Sequence, residues 1–305
     1  MCFIVKNPFS SVISAVHSSR YTVFKAPENK KLFSFRLLFV RFIGTFCRMI
    51  EIPNQILLEV CTAAAHTTGN FALKNIHRRK EVAQQFDHDI KLVMDSESQH
   101  IAEKIILEKF PAHSILGEES ATENTGDYEW IIDPIDGTAN YTNDFPFWCC
   151  SIAVRRSGKI LAGCVYIPPL NDCYIATIDG PALCNGEPIH PSGIADLKHA
   201  TLFTGLTKDI DSRTIEFFTA AAPRVNKIRI LGAAAIDICH VACGRSDAFF
   251  EAGLYLWDVA AAGLIAERAG ACCTATPRAE THGVRFLCST PEIHAGLKQL
   301  VEKYF

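Results

Sequence analysis

Between residues 54 and 79, apolar side chains return at roughly helical intervals through NQILLEVCTAAAHTTGNFAL, and the run ends on Lys74, His77, Arg78, Arg79 and Lys80. The spacing predicts a helix, and the basic end suits its C-terminus, where cations meet the negative pole of the helix dipole. A second helix is predicted through IAEKIILEKF (101–110), then a short strand at Ile115-Leu116 that runs into Gly117-Glu118-Glu119-Ser120. The polar stretch ATENTGDYE reads as a mobile loop, and the apolar run Trp130-Ile131-Ile132 after it reads as a buried strand. Beyond it CCSIAVR, KILAGCVY and DCYIATI are successive strands, with turns at Ser157-Gly158 and Pro168-Pro169. That is a meander, hence an antiparallel sheet. From about 196 the rhythm changes: the strands TLFTG, KIRIL, DAFFEA and RFLCS alternate with helices over 211–222, 233–243, 258–269 and 292–304. Such alternation predicts an α/β half. The expected organisation is therefore an N-terminal α+β half over 49–195 and a C-terminal α/β half over 196–305.

Residues 1–48 do not share this patterning. They hold eight Lys or Arg, six Ser, many Phe and one acid, Glu28. A basic, acid-poor, serine-containing leader is the composition of an organelle transit segment. The other reading is an upstream mis-start, with the protein proper beginning at Met49. The apolar stretch LFSFRLLFVRFIGTF is interrupted by Arg36 and Arg41, a poor membrane span. The expected location is cytoplasmic, or an organelle if residues 1–48 direct import, with no membrane partner.

Composition narrows the function classes. A net charge of -3 across 305 residues gives no electrostatic footprint for nucleic acid, so none is expected as a partner. The thirteen cysteines include no C-x-x-C, which reads as buried thiols in a reducing compartment rather than a zinc site or a disulfide framework.

The candidate chemistry sits in WIIDPIDGT (130–138). Pro134 is expected to end strand pairing and to hold Asp133 extended. In a continuing strand, residues 133 and 136 point to opposite faces; a turn at Pro134-Ile135 brings both carboxylates to one point. Two convergent carboxylates repel and protonate unless a cation lies between them, and hard oxygen donors suit Mg²⁺. Gly137 allows close backbone approach, and Thr138 opens a helix whose free N–H groups suit a phosphate. The same letters also fit an Asp-Pro turn followed by an ordinary helix cap. Similar structural readings exist for Glu118 and Glu119 as solvated loop acids, for Asp258 as a helix-capping acid, and for Asp95 as an N-cap with Ser96.

Taken together, GEES (117–120), WIIDPIDGT (130–138), LGAAA (231–235) and EAGLYLWDVAAAG (251–263) resemble the inositol monophosphatase family, the metal-dependent, lithium-sensitive sugar-phosphatase group. The resemblance spans about residues 50–300 and implies a layered αβαβα fold, frequent homodimers and Mg²⁺-dependent hydrolysis of a small-molecule phosphomonoester. It implies that Glu118, Asp133 and the Ile135 carbonyl hold one Mg²⁺, and that Asp133, Asp136 and Asp258 hold a second. Thr138 and Asp95 are implied to orient and activate the attacking water, and the N–H groups of Gly137 and Thr138 to grip the phosphate. Ala234 and Glu251 fall at substrate-contacting positions, Glu251 toward hydroxyls, with Asp258 also facing the substrate. The family's early motif, D-x-V-T-x-x-D, reads here as Asp89-Ile-Lys-Leu-Val-Met-Asp95, with Lys91 new and Leu92 in place of the threonine.

A polyol or sugar phosphate, inositol monophosphate first, is the expected substrate; fructose 1,6-bisphosphate, histidinol phosphate and 3′-phosphoadenosine 5′-phosphate are alternatives. The D-x-D-G-T signature of aspartyl-phosphate enzymes does not fit, and no G-x-S-x-G or G-x-x-x-x-G-K occurs. A non-catalytic phosphate-binding protein on the same fold is the reading from another class.

Overall fold

The computed structural model describes residues 51–85, 90–122, 124, 126–206 and 212–305. The expectations for residues 1–48, for Asp89 and for the Lys91 side chain lie outside the described residues. Residues 52–305 form one compact unit.

The first helix, α1 (Asn54–Lys74), buries Leu57, Leu58, Cys61, Ala64, Ala65, Thr68 and Ala72, one face at intervals of three and four. It stops at Lys74, short of the predicted end, and a 3-10 turn carries Ile76–Arg78. Both arginines of the basic cluster beyond it are committed to ion pairs: Arg78 reaches Glu81 at 2.8 Å and Glu97 at 2.9 Å, and Arg79 reaches Asp144 at 3.5 Å. Strands β1 (Val82–Gln85) and β2 (Ile90–Leu92) pair antiparallel. The second helix, α2 (Val93–Lys109), begins eight residues before the predicted start. An acid at its third position, Asp95, accepts the Leu92 N–H at 3.1 Å and so satisfies a free donor at the helix entrance.

Eight strands form the first sheet: β3 (Ser114–Gly117), β4 (Ala121–Thr122), β5 (Tyr128–Asp136), β6 (Cys149–Arg156), β7 (Lys159–Ile167), β8 (Asp172–Thr177), β9 (Leu183–Cys184) and β10 (Glu187–Pro188). Their order is β10-β9-β8-β7-β6-β5-β3-β4. The β6-β7-β8 meander is antiparallel as the turn signals predict, while β3 lies parallel to β5. Part of the expected mobile loop is instead β4, paired with β3.

The second sheet holds β11 (Thr201–Thr204), β12 (Lys227–Arg229), β13 (Ala248–Tyr255), β14 (Cys272–Pro277) and β15 (Gly283–Ser289) in the order β12-β11-β13-β15-β14. Strands β11, β12 and β13 are parallel, and β14 and β15 are antiparallel additions. The remaining helices are α3 (Thr138–Thr142), α4 (Ser212–Ala221), α5 (Ala234–Ala242), α6 (Leu256–Ala269) and α7 (Pro291–Glu302).

Three of the four apolar clusters among the described residues bind five layers, and the fourth packs Leu92, Met94, Ile135, Tyr141 and Trp148 together. Helices α1 and α2 cover one face of the first sheet, around Trp130, Ile132, Val154 and Tyr166. Helices α5 and α6, rich in alanine and nearly apolar all round, lie between the two sheets. A helix that is apolar on every side belongs in such a middle layer. Helices α4 and α7 close the far face of the second sheet over Phe217, Phe250 and Leu297. The result is the αβαβα arrangement, and it sets the ends of β3, β5, α2, α5 and α6 beside one another.

Candidate active site

Strand β5 does not stop at Pro134. It stays paired with β6, Asp133 opposite Ser151 and Asp136 opposite Cys149, so one extra residue of β5 is spent between those two pairs. This is a β-bulge, not the predicted turn, and a bulge re-aims the side chains that follow it. Proline fits because a bulged residue needs no ladder N–H. The effect on the carboxylates is the one the turn was invoked for. Asp133 and Asp136, separated by an odd number of residues, offer oxygens that lie with one from Asp258 within 4.8 Å of one another.

Directly after the bulge, Gly137 has φ 91°, the left-handed region. A Cβ there would meet the Phe147 carbonyl at 3.0 Å and the Ala233 Cβ at 3.1 Å, so both conformation and space require glycine. Thr138 opens the five-residue α3, and its hydroxyl donates to the Ile135 carbonyl at 3.1 Å.

Asp258 is the third residue of α6, and its Oδ2 accepts the Tyr255 N–H at 2.7 Å. Asp95 has the same relation to α2. The helix-capping reading of Asp258 therefore holds without excluding the other, because a carboxylate can cap with one oxygen and present the second. Asp95 is not an N-cap; that position is Leu92.

Asp136 is tied to the second half of the chain. Its Oδ1 accepts from the Ala234 N–H at 3.2 Å and its Oδ2 from the Ala235 N–H at 2.8 Å. The LGAAA segment thus delivers the first N–H groups of α5 to an aspartate, and the Ala234 N–H is engaged there. The Cys149 thiol also donates to Asp136 Oδ2, at 3.6 Å. Glu118 follows β3 in a loop held by its own N–H donating to the Ile132 carbonyl at 3.1 Å. The Gln99 side chain latches the same loop, accepting the Glu119 N–H at 2.9 Å and donating to the Ser120 hydroxyl at 2.6 Å.

The electrostatics are those of crowded acids. Burial is the main cause of the raised pKa values: it pushes Asp136 up to about 6 against the hydrogen bonds from Ala235, Cys149 and Ala234, and, with the charge of Asp136, pushes Asp258 to about 7. Asp133, 1 % exposed, is pushed well above the carboxylate range by burial and then by Glu118, Asp136 and Asp258. Glu118 stands at the open side of the cleft, yet the protein packed about its carboxyl, and then Asp258 and Asp95, also raise it. Among the described residues no ion pair involves Asp133, Asp136, Glu118 or Asp258. A divalent cation would supply the counter-charge that such a cluster needs. The donors are hard carboxylate oxygens that would hold a Mg²⁺ and supply its counter-charge. The nearby Cys149 stays protonated, because burial and then Asp136 raise its pKa, and offers no soft ligand. The residues fit Mg²⁺.

Glu251 lies on β13 just before a second bulge, between Glu251 and Leu254. Its carboxyl packs against Gly205, and its pKa is raised to about 8 by burial and then by the charges of Asp258 and Asp136. It is near the cluster without belonging to the three-oxygen group.

Two polar side chains beside the cluster escape the sequence reading. Gln99 lies one helical turn after Asp95, a spacing that puts both on one face of α2. Asp237 is an acid inside the apolar helix AAAIDICHVA; it is 2 % exposed, with Oδ1 lacking a hydrogen-bond partner and a pKa raised to about 9 by burial, then Asp136 and Glu251. A lone acid in an otherwise apolar helix was the available signal.

Fold and cluster together define a layered αβαβα protein with a cluster of convergent carboxylates that could hold a cation. The sequence model of the inositol monophosphatase family matches residues 54–304. The inositol monophosphatase of Dictyostelium discoideum is 34% identical over 270 residues, covering 84% of this chain and 98% of that protein. The fructose-1,6-bisphosphatase/inositol-1-monophosphatase of Aquifex aeolicus is 31% identical, covering 81% of this chain and 96% of its own. The solved inositol monophosphatase from Anabaena superposes with a TM-score of 0.71 at 30% identity, over 82% of this chain and 97% of that one. The chain belongs to the inositol monophosphatase family, whose members are phosphatases.

Proposed function

We propose that this protein is a Mg²⁺-dependent phosphomonoesterase acting on a small polyol or sugar phosphate, inositol monophosphate first. The observation that carries the reading is the convergence of Asp133, Asp136 and Asp258, with no basic partner among the described residues, beside the glycine-led start of α3. In this reading Glu118, Asp133 and the Ile135 carbonyl hold one Mg²⁺, and Asp133, Asp136 and Asp258 a second. Bound Mg²⁺ supplies positive charge to the phosphoryl oxygens and lowers the pKa of water.

The chain's own groups do the rest. The Thr138 hydroxyl, whose O–H is engaged on the Ile135 carbonyl, keeps lone pairs with which to accept from a water, and Asp95 stands by to take that water's proton. The N–H groups of Gly137 and Thr138 grip the phosphate. Glu251 accepts from substrate hydroxyls, and Ala234 lines the same side as Asp258. The Aquifex relative, whose name includes fructose-1,6-bisphosphatase, supports keeping that bisphosphate as the second substrate; histidinol phosphate and 3′-phosphoadenosine 5′-phosphate are further alternatives. Family resemblance also supports a homodimer. No helix among the described residues is long and apolar enough to cross a membrane, and residues 1–48 lie ahead of the family match.

The test is phosphate release from these four substrates and an aryl phosphate, with Mg²⁺ and after chelation. Mg²⁺-dependent turnover greatest on inositol monophosphate is expected. Lack of turnover on every substrate at millimolar Mg²⁺ overturns the enzymatic reading.

A further inference from the structure

Outside the carboxylate cleft, two thiols lie on the face of the first sheet that α1 covers. Cys164 of β7 is fully buried, Cys173 of β8 is partly exposed, and their sulfurs are 3.7 Å apart. The strand register explains the pairing. Cys164 stands opposite Ile175 and Cys173 opposite Tyr166, so the two cysteines are diagonal neighbours on one face. A third group stands beside them on α1: His66, whose ring lies against Tyr166, the residue opposite Cys173. The His66 ring is clamped on Tyr166 with centroids 3.9 Å apart, and the Tyr166 hydroxyl donates to Asn70 at 3.0 Å. The backbone N–H of Cys173 is fixed in turn on Asn185 Oδ1 at 2.9 Å.

We propose that Cys173 and Cys164 form a peroxide-reactive dithiol, with Cys173 the attacking sulfur, Cys164 the resolving sulfur and His66 the neighbouring imidazole. The proposal is independent of the phosphatase reading. The two environments divide the roles. The hydrogen bond with Cys164 lowers Cys173 to about 7 against the opposing effect of burial, and His66 adds to the lowering. The same hydrogen bond and then burial raise Cys164 well above the thiol range. A partly exposed thiolate beside a protonated thiol is the arrangement in which one sulfur attacks and the other waits.

The chemistry balances with one hydroperoxide. The Cys173 thiolate attacks a peroxide oxygen, the O–O bond breaks, and the departing hydroxide or alkoxide takes a proton from solvent, leaving Cys173 as a sulfenic acid. The Cys164 sulfur then gives up its proton and attacks the Cys173 sulfur. The S–O bond breaks, water leaves, and the two sulfurs close from 3.7 Å to a bond of about 2 Å. Two thiols are oxidised to one disulfide and one peroxide is reduced.

The test treats the full chain with one equivalent of hydrogen peroxide and maps its cysteines by mass spectrometry under non-reducing conditions. A Cys164–Cys173 cross-linked peptide should form at least tenfold faster than any modification of Cys243 or Cys272, which are also partly exposed. With Cys164→Ala the reaction should stop at a sulfenic acid on Cys173 that dimedone traps, and His66→Phe should slow Cys173 oxidation several-fold. Mapping the unsubstituted chain decides the matter even if the buried Cys164→Ala substitution prevents folding. Oxidation of Cys173 no faster than of Cys243 and Cys272, or a cross-link of Cys173 to any other cysteine, overturns the proposal.

Discussion

Asp136 Oδ2 accepts the N–H of Ala235 at 2.8 Å, joining residues 99 positions apart in the chain. One acid of the cluster is thus held by the positive end of α5, while among the described residues the backbone gives Asp133 the Ile135 N–H, at 3.1 Å, and no helix N-terminus. The difference predicts opposite effects of neutralising them. Asp133→Asn relieves repulsion and should raise the unfolding midpoint of the metal-free protein at pH 8, while turnover falls by at least a thousandfold. Asp136→Asn gives up charge-assisted bonds worth about 1.5–3 kcal/mol each, so it should lower both stability and turnover. Thermal unfolding in chelator and single-substrate kinetics measure the two. Full Mg²⁺-dependent activity in a folded Asp133→Asn sample contradicts the metal assignment.

The metal-free protein should lose stability as pH rises from about 4 to 8. A carboxyl whose folded pKa lies above its unfolded value holds its proton longer when folded, so rising pH penalises the folded state across that window. Asp136 near 6, Asp258 near 7 and Glu251 near 8 all fall within it. Mg²⁺ binds the ionised cluster, so the gain in unfolding midpoint on adding it should be larger at pH 8 than at pH 6. A gain independent of pH tells against metal binding by these acids.

His113 acts with the opposite sign. Its Nδ1 accepts the indole N–H of Trp130 at 2.9 Å, and burial lowers its pKa to about 4. The unfolded chain then binds the proton more readily, so its contribution is complete above about pH 6.5 and is lost as pH falls toward 4. His113→Phe leaves the Trp130 N–H buried without an acceptor, a cost of about 1–3 kcal/mol at pH 7, and should flatten the acid-side loss. Denaturant unfolding at pH 7 and pH 5 checks both.

The local patterns carried most of the fold. Apolar periodicity located the buried faces of α1, α5 and α6, and turn signals located the β6-β7-β8 meander. Both are written in consecutive residues. The bulge at Pro134 was not legible as a bulge, because it exists only relative to β6, and the register of Ser151 and Cys149 against β5 is not local information. Strand β14, CCTATP, was missed because its small residues and terminal proline carry little strand signal, and its pairing with β15 supplies the rest. Asp95 was misplaced by one helical turn since Leu92 is an unusual N-cap. Glu118, Asp133, Asp136 and Asp258 could be singled out because each stands in a distinctive short segment. Gln99 and Asp237 could not, because each lies inside a helix and outside those short segments.

Specificity should turn on Glu251 and the glycine beneath it. The Glu251 carboxyl packs on Gly205 so closely that a Cβ at 205 would overlap both of its oxygens. If Glu251 accepts from vicinal hydroxyls, those bonds are worth about 1.5–3 kcal/mol, and Glu251→Gln should lower kcat/KM for a polyol phosphate by roughly ten- to a hundredfold. Hydrolysis of an aryl phosphate, which offers no hydroxyls, should hardly change. Gly205→Ala keeps the carboxylate but displaces it, and should reproduce the same selective loss. Because burial and the neighbouring acids raise the Glu251 pKa to about 8, the advantage of polyol over aryl phosphate should grow as pH rises through that value and the group ionises. Equal losses on both substrates in either variant would mean that Glu251 supports the metal site instead, and the preference for a polyol or sugar phosphate would lose its main physical ground.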